Sequence, residues 1–376
     1  MIPFMSRSRI LCVTDSLHSG SSQSQLVEIA LFLCQIGYDV EFMVYKPDDS
    51  YEYVLKQQGI TVTRIAPCNL LQRFFRIRKF IRNGGFNLVI AFHRTPSFIC
   101  ELAGLPRRSW KLVVSERSSR RYKPHSFLEY LYAYFHIYAD SIVCNTFSNC
   151  NLILQSNTRL DPDKVHVIYN CHDFSGWKQP YPLPTATAGN KLRMVIAANV
   201  SDITNLNVFI DAMLRLTPQE RSVLHVEWYG CGSKKSCNSE VLENVNKEIQ
   251  QKKIHLMASN LPYDLTEIIA ESDIVGLFSY KEKLPRELCT AMAAGKPIIS
   301  ANVSDFPLLV EEGRGGFTCD AENPSSIADA LRKMIRISSS QRHEMGRYNT
   351  QRARFLFCKE HTVQRYVVLF QKLLTM

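Results

Sequence analysis

An acid and two cations lie close together in the second half of the 376-residue chain, in the segment Glu282-Lys283-Leu284-Pro285-Arg286. A helix is predicted to begin near Arg286, directly after the loop that carries Glu282. The first N–H groups of a helix have no partner inside it, and together with the helix dipole they bind phosphate. The segment therefore suits a diphosphate, and the Glu282 carboxylate suits the hydroxyl groups of a sugar.

Two positions near the N-terminus allow the backbone to approach a ligand. Gly20 and Ser21 stand between a strand predicted at 10–14 and a helix predicted at 23–35. Because glycine has no Cβ, a diphosphate can come close to the main chain there. The alternative is a tight strand-to-helix turn that binds nothing.

Three further candidates follow later strands. His93 comes directly after a strand predicted at 88–92, and Glu116 and Arg117 come directly after one predicted at 111–115. Ligands of parallel α/β sheets lie at the carboxyl ends of the strands. We therefore take His93, Glu116 and Arg117 as candidate catalytic residues. For Arg117 two interpretations stay open, a bond to a phosphate of the acceptor or donor and a simple ion pair with Glu116.

Short β-branched runs alternate with longer helical stretches through most of the chain, which is typical of parallel βαβ units. Strands are predicted at 10–14, 40–45, 61–65, 88–92, 111–115, 141–144 and 165–168, and then at 193–197, 224–229, 254–257, 274–277 and 297–300. A polar, proline-rich passage separates the two series. The predicted fold class is α/β, with two doubly wound parallel-sheet domains in tandem and the ligand site in the cleft between them.

The domain boundaries follow from this alternation. We expect a first domain at 1–172, a linker at 173–190, a second domain at 191–354, and a C-terminal helix within 355–376 that crosses back to the first domain. A chain of 376 residues is longer than one hydrophobic core usually supports. Its 45% hydrophobic and 21% charged residues exclude a disordered or collagen-like protein.

Positive charge is concentrated in one part of the chain. The formal net charge is +10, and the segment Leu70–Lys123 alone contains thirteen Lys or Arg against Glu101 and Glu116. The first domain is therefore expected to meet an anionic partner, such as a phosphorylated substrate, a polyanion or an anionic membrane surface. Nucleic acid is not expected as a partner, because no recognised binding module accompanies the basic segment.

The helix predicted at 70–82 combines apolar and basic residues. One apolar stripe can pack on the sheet, and it consists of Leu70, Phe74, Ile77 and Ile81. Phe75 and Phe80 fall outside the stripe, beside five cations. Extra apolar surface next to cations is typical of helices that lie at a membrane interface. An ordinary core helix with solvated cations is the alternative.

The cysteines and the absence of long apolar runs indicate in which cellular compartment the protein is expected. The twelve cysteines occur without a CxxC pair, so we interpret them as reduced core thiols rather than zinc ligands. Neither an apolar run of about 18 residues nor a secretory leader is visible. We therefore expect a cytoplasmic protein, with peripheral attachment to the inner face of the membrane as an extension, and no metal cofactor.

The chain resembles the retaining glycosyltransferases of family 4, which have the GT-B architecture of two Rossmann-like domains. The resemblance covers almost the whole length and includes residues 20–26, Ser115-Glu116-Arg117 and 165–170. Its most specific part is 282–297, where the family's Glu-Gly-Phe-Pro is Glu-Lys-Leu-Pro and its Ala-Met-Ala-x-Gly-x-Pro is intact. The resemblance implies that Glu282 holds the donor sugar. It also implies a set of neighbouring donor-binding residues, namely Gly20, Ser21, Gly230, Gly232, Leu284 and Pro285.

Three departures from the family pattern affect the donor. The second Glu of the family, which holds the nucleotide ribose, is Thr290, and the phosphate-binding Arg and Lys are Asn199 and Thr204. Loss of two charge-assisted hydrogen bonds would weaken donor binding by about 3–6 kcal/mol, on the order of 10²- to 10⁴-fold. Lys283 and Arg286 stand at the helix start, and we expect one of them to meet the diphosphate instead.

The resemblance implies a metal-independent, retaining hexosyltransferase that moves a sugar from a nucleotide-diphosphate donor to a lipid-linked or polysaccharide acceptor in surface polysaccharide synthesis. In the family the departing phosphate takes the acceptor proton, so no side-chain base is required. Two alternatives stay open. A catalytically impaired partner subunit is favoured by Asn199, Thr204 and Thr290, and a GT-B sugar-nucleotide epimerase would need an acid and a base but no second substrate.

Overall fold

A computed structural model describes the chain over residues 8–18, 21–48, 50–66, 69–117, 127–172, 191–197, 204–230, 243, 246–247, 249–251, 254–259, 265–279 and 284–375. For residues 21, 70, 127–129 and 204 this description covers the backbone only. The chain divides into two compact units. The first unit comprises Met1–Cys171 with Lys359–Met376, and the second unit comprises His172–Cys358.

A seven-stranded parallel sheet forms the centre of the first unit. Its strands are β1 (Arg9–Val13), β2 (Asp39–Val44), β3 (Thr61–Arg64), β4 (Leu88–Phe92), β5 (Lys111–Glu116), β6 (Ser141–Cys144) and β7 (Val165–Val167). Their spatial order is β3-β2-β1-β4-β5-β6-β7. The order reverses at β1, which pairs with both β2 and β4. Ligands of such sheets bind at this reversal, beyond the carboxyl ends of the strands.

Helices cover both faces of this sheet. The helices with described bounds are α1 (Ser21–Gln35), α2 (Glu52–Gln57), α3 (Leu70–Asn83), α4 (Arg94–Ala103), α5 (Phe127–Phe135) and α6 (Phe147–Ser156). All five residues of β4 are buried, because a parallel sheet with helices on both faces is shielded from water on each side. Leu26 of α1 lies in the core on one face and Ile77 of α3 in the core on the other.

The second unit contains a six-stranded parallel sheet in the order β10-β9-β8-β11-β12-β13. Its strands are β8 (Leu192–Ala197), β9 (Leu224–Tyr229), β10 (Leu256–Ser259), β11 (Ile274–Leu277), β12 (Ile298–Ala301) and β13 (Gly316–Cys319). Its helices with described bounds are α7 (Thr204–Leu214), α8 (Pro218–Val223), α9 (Thr266–Ala270), α10 (Arg286–Ala293), α11 (Phe306–Val310), α12 (Pro324–Arg336) and α13 (Ser339–Phe357). Trp228 and Phe209 are fully buried in its core.

The last helix, α14 (Lys359–Thr375), lies in the first unit. Tyr366 and Phe370 are fully buried in the same core as Leu26 of α1. At the start of the helix, Lys359 forms an ion pair with Glu28 of α1. The core of the first unit is therefore completed by residues from the end of the chain.

The predicted fold class is confirmed, since both units are doubly wound parallel sheets. The strands predicted at 88–92, 141–144, 224–229 and 274–277 coincide with β4, β6, β9 and β11. The strand predicted at 254–257 is displaced, because β10 occupies Leu256–Ser259. Strand β13 was not predicted. It is four residues long and begins with a glycine, so it lacks an extended β-branched run.

Two arginines of helix α3 form hydrogen bonds with backbone carbonyls of the first unit. Ile77 and Ile81 are buried in the core, as the apolar stripe predicted, whereas Phe75 is 62% exposed. The guanidinium groups of Arg78 and Arg82 donate to backbone carbonyls at the end of α4 and just beyond it, including that of Ala103. These two cations therefore stabilise the carboxyl end of a helix, where positive charge is favourable.

Candidate active site

Polar side chains gather at the carboxyl edge of the first unit's sheet. Asp15 follows β1, His93 follows β4, and Glu116 and Arg117 stand at the end of β5. Gln25 enters from the second turn of α1. The structure thus brings the three sequence-predicted candidates of this unit to adjacent strands.

His93 caps α4 with a backbone conformation that is unusual for a residue with a side chain, at φ 75° and ψ 157°. A non-glycine residue with positive φ is strained and is frequent at functional sites. Its Nε2 lies 2.9 Å from Nε2 of Gln23, so in this assignment the amide donates and the ring proton is on Nδ1. Burial lowers the pKa of His93, although Asp15 opposes the shift, and the ring is neutral at pH 7.

Asp15 was not identified from the sequence. Its carboxylate accepts from Lys46 Nζ at 2.7 Å and from the Ser16 amide at 3.0 Å. Burial raises the pKa of Asp15, but the bond from Lys46 and the neighbouring His93 more than compensate, so that the pKa lies below its usual value. The signal that was available is its position two residues after β1, the strand at which the sheet order reverses.

The guanidinium of Arg117 is buried in a network of neutral acceptors. It donates to Ser115 Oγ at 2.9 Å, to Asn170 Oδ1 at 2.8 Å and to Gln25 Oε1 at 2.6 Å. The Phe92 ring lies 4.4 Å below its central carbon, a cation–π contact. Gln25 and Asn170 were part of quoted motifs, but their role as partners of Arg117 was not predicted.

Glu116 points to a different neighbour. Its Oε2 lies 3.7 Å from Nε2 of His136, and Nδ1 of the same ring lies 2.7 Å from Oε1 of Glu101. All three side chains are buried. A histidine between two buried carboxylates is favoured in its charged form. The attraction between His136 and Glu116 therefore stabilises the end of β5.

In the second unit the candidate residues lie at the start of α10. Pro285 is the N-cap and forms no side-chain cap hydrogen bond, Arg286 is exposed, and Leu284 is half-buried. Thr290, one turn further along, is 6% exposed. The first N–H groups of α10 are therefore not bound by the side chain of the N-cap residue. The first residue of the helix is a cation, Arg286.

His172 was not predicted from the sequence as a site residue. Its amide donates to the carbonyl of Phe357 at 2.8 Å. Burial, and secondarily the positive charge of Arg286, lower the pKa of His172 to about 4. A neutral imidazole close to the Arg286 guanidinium adds a hydrogen-bonding group to the start of α10. No sequence motif marked it, because its proximity to Arg286 depends on the tertiary fold.

Two other donor-site candidates lie at the carboxyl edge of the same sheet. Gly230 follows β9, is buried and has φ 147°, a conformation that favours glycine. Thr204 begins α7, and its side chain lies outside the described atoms. The neighbouring Asn205 is 8% exposed, and its Oδ1 has no hydrogen-bond partner within the described part of the chain.

Several sequence-predicted residues lie outside the described residues, namely Gly20, Asn199, Gly232, Glu282 and Lys283. For Ser21 only the backbone is described. Within the described ranges, no group of three or more His, Cys, Asp or Glu is arranged to hold a metal ion. Likewise, none of the helices described is both long and apolar enough to cross a membrane.

Two family models match the chain. The model described as glycosyl transferases group 1 matches residues 184–352, and the model described as glycosyltransferase family 4 matches residues 22–175. Together they cover every strand of both sheets except β1.

Curated relatives match parts of the chain at low sequence identity. Spore coat protein SA of Bacillus subtilis (strain 168) is 31% identical over 113 residues, which is 30% of this chain and 30% of that protein. The D-inositol 3-phosphate glycosyltransferase of Nocardioides sp. is 25% identical over 250 residues, or 62% of this chain and 54% of that protein. The matched part of the chain thus spans about a third to a half of the length of these relatives.

Solved structures show the same fold. Anabaena Alr3699/HepE in complex with UDP has a TM-score of 0.77 at 16% identity, with 97% of this chain and 100% of that chain covered. A glycosyltransferase from Rickettsia africae has a TM-score of 0.72 at 15% identity, with 98% and 99% covered. The architecture shared with these structures is GT-B.

Proposed function

This chain belongs to the group 1 glycosyltransferases of family 4, and on that premise we propose that it is a retaining hexosyltransferase. It takes a sugar from a nucleoside-diphosphate donor bound by the second unit and transfers it to a lipid-linked or polysaccharide acceptor recognised by the first. The reaction requires no metal ion. Surface polysaccharide synthesis is the process in which such a transfer takes place.

The start of α10 is the observation that carries the proposal. Its N-cap is Pro285, whose side chain cannot occupy the first N–H groups, and Arg286 adds a positive charge at the first helical position. Backbone N–H groups and the helix dipole favour a diphosphate there. The structural neighbour Alr3699/HepE has been solved with UDP and with UDP-glucose, which supports a nucleotide sugar as donor.

Further residues of the second unit complete the proposed donor site. The buried amide oxygen of Asn205 can accept a hydrogen bond. The imidazole of His172 remains neutral at pH 7, so it can accept or donate one without adding charge. Glu282 holds the sugar hydroxyls, and Lys283 assists Arg286 with the diphosphate. Gly230, Gly232 and Leu284 contribute backbone contacts.

The first unit supplies the acceptor side. The neutral imidazole of His93 can accept from or donate to a sugar hydroxyl, and Asp15 is an ionised acceptor near it. The relatives from Nocardioides and Corynebacterium are named for D-inositol 3-phosphate, an anionic compound. The basic segment Leu70–Lys123 fits an acceptor that likewise carries phosphate.

Calorimetric titration with UDP- and GDP-sugars tests the donor site. We expect one nucleotide sugar to bind, and R286A to weaken it roughly ten- to hundredfold because a charge-assisted hydrogen bond is lost. R347A is the matched control, since Arg347 is an exposed arginine of α13 at a different position on the second unit. Proton NMR of the product then reports the anomeric configuration, and turnover in excess EDTA reports metal independence.

Each failure has a distinct meaning. Binding of no nucleotide sugar would favour the catalytically impaired partner subunit. Conversion of the donor without an acceptor would favour the epimerase. An inverted anomer in the product would contradict the retaining mechanism while leaving the donor site intact.

A further inference from the structure

A cavity lies in the second unit, away from the start of α10. It has a volume of about 390 Å³ and opens at the amino ends of the strands, where Leu192 begins β8, Asp273 precedes β11 and Pro297 precedes β12. The proposed donor site lies at the carboxyl ends of the same sheet. The two sites therefore lie at opposite edges of one sheet.

Lys296 is the central observation. It lines the cavity and is 5% exposed, and no described residue offers its Nζ a hydrogen bond or an ion pair within 4.0 Å. Its backbone is held rigidly, because its amide donates to Ala291 at 3.0 Å and its carbonyl accepts from Asn349 at 2.8 Å. Burial of most of the Lys296 side chain disfavours its charge, and an anion in the cavity offsets that cost.

Helix α13 begins at the same cavity. Ser338 is its N-cap and Ser339 its first residue, and both line the cavity. The capping box uses the amide of Gln341, which donates to Ser338 Oγ at 3.2 Å. The amide of Ser339 has no acceptor within the described part of the chain. A 19-residue helix thus directs its positive end and an available N–H into the space that Lys296 faces.

Two further cations line the cavity. They are Lys191 and Arg342, and Nη1 of Arg342 is anchored by the Ile337 carbonyl at 2.6 Å. Asp273 is the acid in the described lining, and its Oδ2 accepts from the Arg193 amide at 2.8 Å. Cations therefore outnumber acids, so the cavity attracts anions.

We propose that this cavity is a second anion site, which binds a small organic phosphate between Lys296 and the amino end of α13. The phosphate group meets the Lys296 ammonium, the Ser339 amide and the serine hydroxyls. The organic part packs on the apolar wall formed by Leu192, Val223, Ile335 and Ile337. A volume of this size accommodates a small metabolite but not a polymer.

The test measures binding of glycerol 3-phosphate, with glycerol as the uncharged control, by calorimetry at constant ionic strength. It is carried out in the R286A background, so that the proposed donor site contributes little. We expect K296M to weaken binding roughly ten- to hundredfold and K296R to retain it within a few fold. Equal binding by K296M and the parent protein would overturn the proposal.

A second variant tests the proposal independently, in case K296M does not fold. S339P removes the amide hydrogen and the hydroxyl together, and the helix tolerates it because proline is favoured at the first helical position and Ser338 already has ψ 162°. It should weaken glycerol 3-phosphate binding with an unchanged circular dichroism spectrum. Unweakened binding by S339P, or malonate binding as tight as that of glycerol 3-phosphate, would contradict a phosphate site at this helix.

The pH dependence gives an independent readout. Burial lowers the pKa of Lys296 to about 8, opposed by Asp273, so the ammonium loses its proton as the pH rises above that value. Lys191, Arg342 and His343 also face the cavity, and K296R retains its charge at high pH. Binding should therefore weaken between pH 7 and pH 9.5 in the parent protein more than in K296R. Equal pH dependence in the two proteins would show that groups other than Lys296 bind the anion.

Discussion

Nδ1 of His136 lies 2.7 Å from Oε1 of Glu101 in the interior of the first unit. On the other side of the ring, Glu116 Oε2 lies 3.7 Å from Nε2. Burial opposes a charge on His136, but the two carboxylates prevail and raise its pKa to about 10. The resulting imidazolium stabilises the end of β5, from which Arg117 extends.

Stability should therefore depend on pH through His136. From its ordinary value of 6.5 up to about 10, the folded protein keeps a proton that the unfolded chain releases. Between pH 6.5 and pH 8 the free energy of unfolding should therefore fall as pH rises, by up to about 1.4 kcal/mol per pH unit, whereas above pH 8 the lowered pKa of Lys296 adds a slope of opposite sign. Urea denaturation between pH 6.5 and pH 8 measures this slope, which H136Q should lose.

H255Q serves as the control, because His255 is an exposed histidine. It should keep the slope of the parent protein. If H136Q retained that slope as well, the charged form of His136 would be the wrong assignment.

Arg117 should resist even conservative replacement. A lysine retains the charge but cannot bond Ser115, Asn170 and Gln25 at once, because it lacks the planar fork of donors. We expect R117K to lower the free energy of unfolding by about 2–3 kcal/mol. Urea denaturation should show R107K, at an exposed arginine, within about 0.5 kcal/mol of the parent protein. Equal stability of both variants would contradict a buried network.

Thr290 occupies the position of a ribose-binding glutamate in the family pattern. T290E should bind UDP about tenfold more tightly, because a carboxylate accepts two hydrogen bonds from a ribose. It should also lower Tm without ligand, since the site is only 6% exposed and a buried carboxylate is costly. T290Q, which has the same size without charge, separates charge from shape in calorimetry. UDP affinities of both variants no higher than that of the parent protein would exclude a ribose contact at this position.

Helix α3 presents apolar side chains to solvent, with Leu71 72% and Phe75 62% exposed. If the helix contacts an anionic membrane, the double variant L71A/F75A should bind phosphatidylglycerol vesicles roughly tenfold more weakly in a flotation assay. Y53A removes a similarly exposed aromatic of α2 and should leave binding unchanged. Equal binding to phosphatidylcholine vesicles would argue against the basic residues as part of this surface.

Much of the fold could be predicted because strands and helices depend on local patterns. The apolar run at Leu88–Phe92 and the small-residue run after Arg286 are short, continuous signals, and both elements occur where they were predicted. Strand β10 was displaced by two residues, because the segment before it contains few β-branched residues to define its start. The short, glycine-led β13 carried no such signal and was missed.

The fold class and the family follow from local patterns in the sequence, as do the positions of Arg286 at a helix start and of His93 and Arg117 at strand ends, because backbone preferences act between neighbours. What those side chains touch depends instead on tertiary packing. Arg117 meets Gln25 at a separation of 92 residues and Tyr366 at 249, and Lys296 meets a cavity closed by α13. Such partners are set by how helices pack on the sheet, and residues that are distant in sequence become neighbours only when the core has formed.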